Sequence, residues 1–365
     1  MMSYLSQEGH FGNPASQHEY GKAALQAIEE ARSSVAALLS TVPRNIIFTS
    51  GATEANNLAL KGAALFYQRL GNHIVTSETE HRAVLDPCQH LAQQGFEVTY
   101  LKPDRQGLIK LEDIESALKQ ETRLVSIMHV NNETGIIQDI EAIGEMTRKK
   151  GILFHVDASQ SVGKIPLDLQ KLKVDLLSFS AHKMYGPKGI GALYIGDRPL
   201  VKLVPQCHGG SQERKLRAGT LPTHQIVGLG EACKMAKEAL DCEAQLAMTG
   251  EALAMTGSLR ARLWEGIKDL PGVHLNGHFD ASKHAAHILN ICFAKIEKER
   301  LLEVFKGLAI SNASACNAIT LESSHVLRAM GLSDLDAERS FRFSFGKFTT
   351  EEEIDTVIQI IRGLV

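Results

Sequence analysis

Ser178-Phe179-Ser180-Ala181-His182-Lys183-Met184-Tyr185-Gly186-Pro187 reads as an apolar strand, Asp175–Ser180, that ends just before a lysine and turns at Gly-Pro. A second apolar run, Ile152–Val156, ends the same way before an acid, in His155-Val156-Asp157-Ala158-Ser159-Gln160. Further β-rich runs lie at Asn45–Thr49, His73–Ser77, Phe96–Leu101, Arg123–Val130 and Gly191–Ile195. Helical patterns at Gln17–Leu39, Thr53–Arg69, Arg82–Gln94, Leu111–Lys119 and Ile140–Lys149 lie between many of them. This alternation predicts an α/β fold, a mostly parallel seven-stranded sheet flanked by helices. Functional groups of such sheets gather at the carboxyl ends of the strands. After about residue 240 the pattern changes to a long helix, Cys242–Gly266, then runs at His274–Asn276 and Ala286–Phe293 and a C-terminal helix from Thr350. A smaller α+β domain is expected there, with a large domain over 13–237 and a small one over 1–12 and 238–365. A seven-residue tandem repeat, Leu246-Ala247-Met248-Thr249-Gly250 and Leu253-Ala254-Met255-Thr256-Gly257, nearly preserves a helix face and reads as a tolerated insertion.

The 365 residues are 44% hydrophobic and 22% charged, with net charge −3 and no long single-sign run, which argues against nucleic acid or an acidic membrane surface as main partner. No apolar run reaches the length of a membrane span, and the first residues have no basic or apolar leader pattern, so a cytoplasmic protein is expected. The six cysteines include no C-x-x-C pair, so a zinc site or redox pair is only weakly supported and no resident metal is expected.

The chemistry starts from Lys183 and Asp157. A lysine and an acid at the ends of neighbouring strands are what pyridoxal 5'-phosphate requires. The lysine holds the aldehyde as a Schiff base, and the carboxylate keeps the ring nitrogen protonated. Ser50-Gly51-Ala52-Thr53-Glu54 turns through glycine into a helix N-terminus, which suits a phosphate, although a Ser/Thr there also reads as a plain cap. Gly186–Gly191 lacks the Lys-Ser/Thr ending of a P-loop. His81, after the strand His73–Ser77, could stack on a flat cofactor and move protons, although a lone histidine is more often structural. Asn132 and Gln160 are short donors for a phenolic oxygen, or ordinary turn residues. Arg342, among apolar neighbours in a strand-like run, suits an α-carboxylate or a structural ion pair. Cys316, in the small polar stretch Ser311–Ala318, should be accessible, unlike Cys292 in its apolar run, and accessibility is one condition for a nucleophilic thiol.

Taken together these residues resemble the cysteine desulfurases of the IscS/NifS family, pyridoxal phosphate enzymes of fold type I. The resemblance covers nearly the whole chain and is closest at Phe11–Ser16, Phe48–Glu54, Val125–Glu133, Tyr185–Gly191 and Phe345–Glu353. It implies Lys183 as the Schiff-base lysine and His81 as the ring-stacking acid/base. Asp157 would face the pyridine nitrogen, and Gln160 and Asn132 the phenolic oxygen. Thr53, Ser180 and His182 would hold the phosphate, with Thr220 reaching in from the second subunit of a homodimer. Arg342, helped by Asn132, would hold the carboxylate of L-cysteine. Cys316 would accept the sulfur as a persulfide, releasing L-alanine. Iron–sulfur scaffold and sulfur-carrier proteins would take the sulfur onward, for iron–sulfur clusters and tRNA thiolation, with any iron–sulfur contact at Cys316 transient.

The chain also departs from the family pattern. It begins just ahead of Phe11-Gly12-Asn13-Pro14, where relatives carry a further strand and turn near the substrate, and it stops at Val365 without the longer tail that helps dock the scaffold. Ala313, Ala181 and Ala218 stand where the family has Gly, Gly and Ser. A related lyase acting on selenocysteine, or a homologue that binds the cofactor without turnover, are the alternative readings.

Overall fold

The structure, a computed structural model, describes residues 1–6, 9–197, 201–249, 255–312 and 323–364. Seven strands form one sheet: β1 (Ile46–Thr49), β2 (His73–Ser77), β3 (Glu97–Leu101), β4 (Thr122–Ser126), β5 (Leu153–Asp157), β6 (Leu176–Ser180) and β7 (Gly191–Ile195). Their order is β1-β7-β6-β5-β4-β2-β3. Neighbours from β6 to β3 run parallel, and β7 runs antiparallel to both β6 and β1. The expected strand Arg123–Val130 ends at Ser126; beyond it the chain pairs only through a bridge between Val130 and Ile137.

The sheet is buried on both faces, and alternation along each strand sorts side chains between two cores. Phe48, Val75, Val125, Phe154 and Leu177 point to one face, with Ile28 and Val35 of α1 (Glu19–Leu38) and Ile226 and Leu229 of α6 (Thr223–Thr249). Ile47, Ile74, Leu124 and Leu176 point to the other, with Leu58 and Leu60 of α2 (Ala52–Tyr67) and Val84 and Leu91 of α3 (Arg82–Gln93). The first core also takes Ile114 of α4 (Leu111–Ala117) and Ile140 and Ile143 of α5 (Ile140–Lys149), whose N-cap Asp139 accepts from Ala142 N.

A second sheet, ordered β10-β11-β9-β8, is antiparallel throughout: β8 (Val273–Leu275), β9 (Ile288–Phe293), β10 (Ser311–Asn312) and β11 (Ser340–Ser344). Its core joins Leu289, Phe293, Phe341 and Phe343 to Leu259 and Leu263 of α7 (Met255–Ile267) and to Ile354 and Ile361 of α11 (Glu351–Arg362). Thr350 and Glu353 close a reciprocal capping box at the start of α11. The helix expected from Cys242 belongs to α6, which begins at Thr223; α7 starts separately at Met255, and the middle of the tandem repeat lies outside the described residues. Three short helices not read from the sequence complete this part, α8 (Lys298–Val304), α9 (His325–Ala329) and α10 (Asp334–Glu338).

Candidate active site

The carboxyl ends of β2, β4, β5 and β6 deliver most of the expected residues to one edge of the large sheet. β5 and β6 pair in parallel with Asp157 opposite Ser178, so the acid and the turn carrying Lys183 leave adjacent strands. Asp157 is buried, and three donors fix its carboxylate: Asn56 Nδ2 at 2.7 Å, and the Ser159 backbone N–H and hydroxyl at 3.0 and 2.6 Å. These donors replace the solvation that burial removes. The Oδ1 of Asn56 is itself buried and without a partner among the described residues.

Lys183 lies in a single 3-10 turn, Ala181–Met184, closed by Tyr185 in the left-handed conformation (φ 65°) and by Gly186 N–H donating to the Ala181 carbonyl at 3.0 Å. Lys183 and His182 are both exposed. The Tyr185 hydroxyl accepts from Lys347 N at 2.9 Å, tying this turn to the chain just beyond β11. Burial, then the charges of Lys183 and Lys188, hold the His182 imidazole below its ordinary range.

The first turn of α2 faces the same edge. Its N-cap, Gly51, has no side chain to cap the helix, so its first N–H groups look to acceptors outside it. Ala52 N–H donates to the Ser180 hydroxyl at 2.7 Å, which joins the helix start to the end of β6. A Cβ on Gly191 would lie 2.4 Å from the Phe179 carbonyl and 2.7 Å from Gly51 Cα, so glycine there is what lets the two backbones meet. Thr53 is exposed at this helix start. Glu54 accepts from Ser50 N at 2.7 Å and from Arg217 Nε at 2.8 Å, which anchors the loop carrying Thr220.

His81 caps α3: its Nδ1 accepts from Ala83 N at 3.0 Å, which leaves the proton of the neutral ring on Nε2. Glu80 beside it is fully buried, with Oε1 accepting from Met128 N at 2.6 Å and Oε2 unpartnered among the described residues. Burial first, then the charge of Asp157, pushes its carboxyl well above the usual range, against the pull of Met128 N–H.

From the far side β11 brings Arg342, whose Nη1 donates to the Asn132 carbonyl at 2.8 Å. Asn132 Oδ1 is buried and lacks a partner among the described residues. Glu133 is buried beside it; its carboxylate accepts from the Ser324 hydroxyl at 2.5 Å and its backbone carbonyl accepts from Asn290 Nδ2 at 3.0 Å. Burial raises this carboxyl to about 7, against the pull of Ser324 and Arg342. Gln160 is buried, and its Oε1 accepts from Lys164 Nζ at 3.5 Å.

Two expected residues stand apart. Thr220 lines a different cleft of about 430 Å³, with Asn13, Arg32, Arg44 and Glu213. Cys316 lies outside the described residues, as does Ala313. The flanks of that stretch are described. Ser311 pairs opposite Arg342 in the second sheet, and Ser324 caps α9 while donating to Glu133.

Sequence reasoning missed Asn56, Glu80, Glu133, Ser159 and Lys164. Asn56 sits one helical turn after Thr53, and Lys164 four residues after Gln160. That spacing was the only local signal they carried. The donor set fits a flat phosphorylated ring: an uncapped helix start for the phosphate, a fixed carboxylate for a ring nitrogen, and an unpartnered buried amide oxygen near the basic groups.

Residues 1–357 match the family described as aminotransferase class-V. Over 362 residues the chain is 56% identical to a protein of Photorhabdus laumondii named cysteine desulfurase IscS, covering 99% of this chain and 87% of the relative. Among solved structures it is similar to a NifS-like protein, with TM-score 0.87 and 37% identity over 99% of this chain and 93% of that one. It is also similar to a protein described as SspA in complex with cysteine, with TM-score 0.81 and 38% identity over 96% and 94% of the two chains.

Proposed function

The chain belongs to the aminotransferase class-V family, and from that footing we propose that it is a cysteine desulfurase using pyridoxal 5'-phosphate, acting on L-cysteine as a cytoplasmic homodimer. The observation that carries this reading is the pairing of β5 with β6, which puts the thrice-held Asp157 beside the Lys183 turn. The 56% identity to a protein named cysteine desulfurase supports the choice of reaction within the family.

Lys183 would bond the cofactor aldehyde, with Asp157 at the ring nitrogen, His81 over the ring, and Gln160 and Asn132 at the phenolic oxygen. Thr53, Ser180, His182 and the open start of α2 would hold the phosphate, completed by Thr220 from the partner subunit. Once bound, the cofactor supplies an electron sink for the substrate's Cα. The remaining steps belong to this chain. Arg342 fixes the substrate carboxylate through its guanidinium and so sets the Cα–H direction. Lys183, once its nitrogen is released, takes the Cα proton and returns it. His81, with its proton on Nε2, exchanges protons with the incoming thiol. The Cys316 thiolate attacks the substrate sulfur; an S–S bond forms, the C–S bond breaks, and its electron pair goes to carbon. That carbon takes a proton and leaves as L-alanine, while Cys316 keeps a persulfide for a sulfur carrier or an iron–sulfur scaffold.

Intact mass after exposure to L-cysteine should show one added sulfur atom, mapped to Cys316. Cys316→Ser should keep the visible cofactor band and lose alanine release; a Cys316→Ser protein that still releases alanine refutes the nucleophile assignment. Lys183→Ala should lose the band itself.

A further inference from the structure

The start of α9 reaches the large sheet through two consecutive side chains. Ser324, its N-cap, is buried; its hydroxyl donates to Glu133 Oε2 at 2.5 Å and accepts from Leu327 N at 3.1 Å. His325, half-buried, donates from Nε2 to the Glu80 backbone carbonyl at 3.0 Å. Glu80 lies in the turn after β2 that carries His81, and Glu133 in the stretch after β4 that carries Asn132. These two site-bearing turns are also bonded to each other: Glu80 Oε1 accepts from Met128 N at 2.6 Å, and Asn131 Nδ2 donates to the Thr79 carbonyl at 3.0 Å. With five residues α9 is too short to hold its own place. Its apolar residues Val326, Leu327 and Met330 pack with Ala337 in a small cluster of their own, apart from the large cores. The two polar contacts therefore set much of its register on the large sheet.

The place of α9 in the chain gives this docking a chemical meaning. Cys316 precedes Ser324 by eight residues, and Ser311, paired opposite Arg342, precedes Cys316 by five. We propose that Ser324 and His325 are positioning residues for sulfur transfer, a two-point clasp that fixes the chain after Cys316 to the His81 and Asn132 turns. This rests on the reading of Cys316 as the nucleophile. Fixing one end of a tether near its target raises the effective concentration of the group it carries, with no new contact at the reacting atoms. The clasp touches neither Lys183 nor Asp157, so it acts on the step that uses the thiol and leaves proton transfer at Cα alone.

The test separates those two steps. L-Alanine has the carboxylate and the Cα–H but no sulfur, so its Cα–H exchange in heavy water, read by NMR, needs Lys183 and bound cofactor but no thiol. His325→Leu keeps side-chain bulk and removes the donor. It should keep the visible band and exchange L-alanine within about twofold of the parent. Persulfide formation on Cys316 from L-cysteine, followed by intact mass, should slow about fivefold, the factor one net hydrogen bond is worth. Ser324→Ala should behave alike, and the double variant should be slower than either. In the cofactor-free chain, the Arg328 and Met330 amides, which close the turns of α9, should exchange hydrogen faster in both variants than in the parent. Persulfide formation at the parent's rate in His325→Leu overturns the proposal, and so does an equal slowing of alanine exchange or unchanged amide protection. A parent that stays colourless with added pyridoxal phosphate defeats the desulfurase reading, and the amide measurement still decides whether the clasp holds α9. Failure of the clasp alone shows in a coloured chain that exchanges alanine.

Discussion

Removing Glu213 should cost the protein about 3 kcal/mol, and the sum can be worked from its contacts. Glu213 Oε2 accepts from Arg32 Nη1 at 2.7 Å and from Phe48 N at 2.7 Å, while Oε1 accepts from Arg32 Nη2 at 2.8 Å. The Glu213 side chain is 1% exposed and that of Arg32 11%. Breaking a buried ion pair by removing one partner costs about 3–5 kcal/mol, because the remaining charge is left uncompensated. Glu29, half exposed, still reaches Arg32 at 3.1 Å, which places the loss at the lower end. The pair also pins an unusual turn: Glu213, Arg214 and Lys215 all have left-handed φ, at 43°, 56° and 64°. Non-glycine residues resist that conformation by about 1–2 kcal/mol each, so the turn persists only while something holds it. With an unfolding entropy of about 2.1 cal/mol/K per residue, a 365-residue chain melting as one unit should fall by about 4 °C in Glu213→Ala. Thermal unfolding followed by circular dichroism measures it. The double variant Arg32→Met/Glu213→Ala removes both charges and should recover most of the loss, leaving about 1 kcal/mol for the unpaired Phe48 N–H. A double variant that melts with or below the single one refutes the reasoning, because the penalty would then not be the stranded charge.

Three further outcomes follow from other contacts. Asn56→Ala removes one of the three donors on Asp157 and should leave the chain folded, with about 1–3 kcal/mol lost, while pyridoxal phosphate dialyses away faster than from the parent. Glu133 has a folded-state carboxyl raised to about 7 from an ordinary 4.5, so the folded state is the one that holds its proton. Its contribution is complete below pH about 4.5 and fades as pH rises through 7; urea midpoints should decline across that window in the parent and stay flatter in Glu133→Gln. Gly163→Ala places a methyl at φ 76° against Met184, and should lower the melting temperature while shifting the visible band of bound cofactor; an Ala variant matching the parent in both would show that the turn after β5 does not press on the Lys183 turn.

The order of strands and helices was readable because it is written in local periodicity. The bounds His73–Ser77 and Gly191–Ile195 agree between sequence and structure; Asp157 ends β5, and Lys183 lies in the turn that follows β6. Alternation along a strand reports burial on two faces, but it does not report direction, so the antiparallel course of β7 was invisible. The two-residue β10 and the five-residue helices α9 and α10 were too short to carry a period. The groups that finish the site were hidden for a different reason. Asn56 meets Asp157 across 101 residues, Glu133 meets Ser324 across 191, and Arg32 meets Glu213 across 181. A sequence fixes which chemistry is present and where each element starts, since both depend on a few neighbouring residues. Which buried amide holds which carboxylate is decided only when the sheet closes and distant strand ends come within hydrogen-bonding distance.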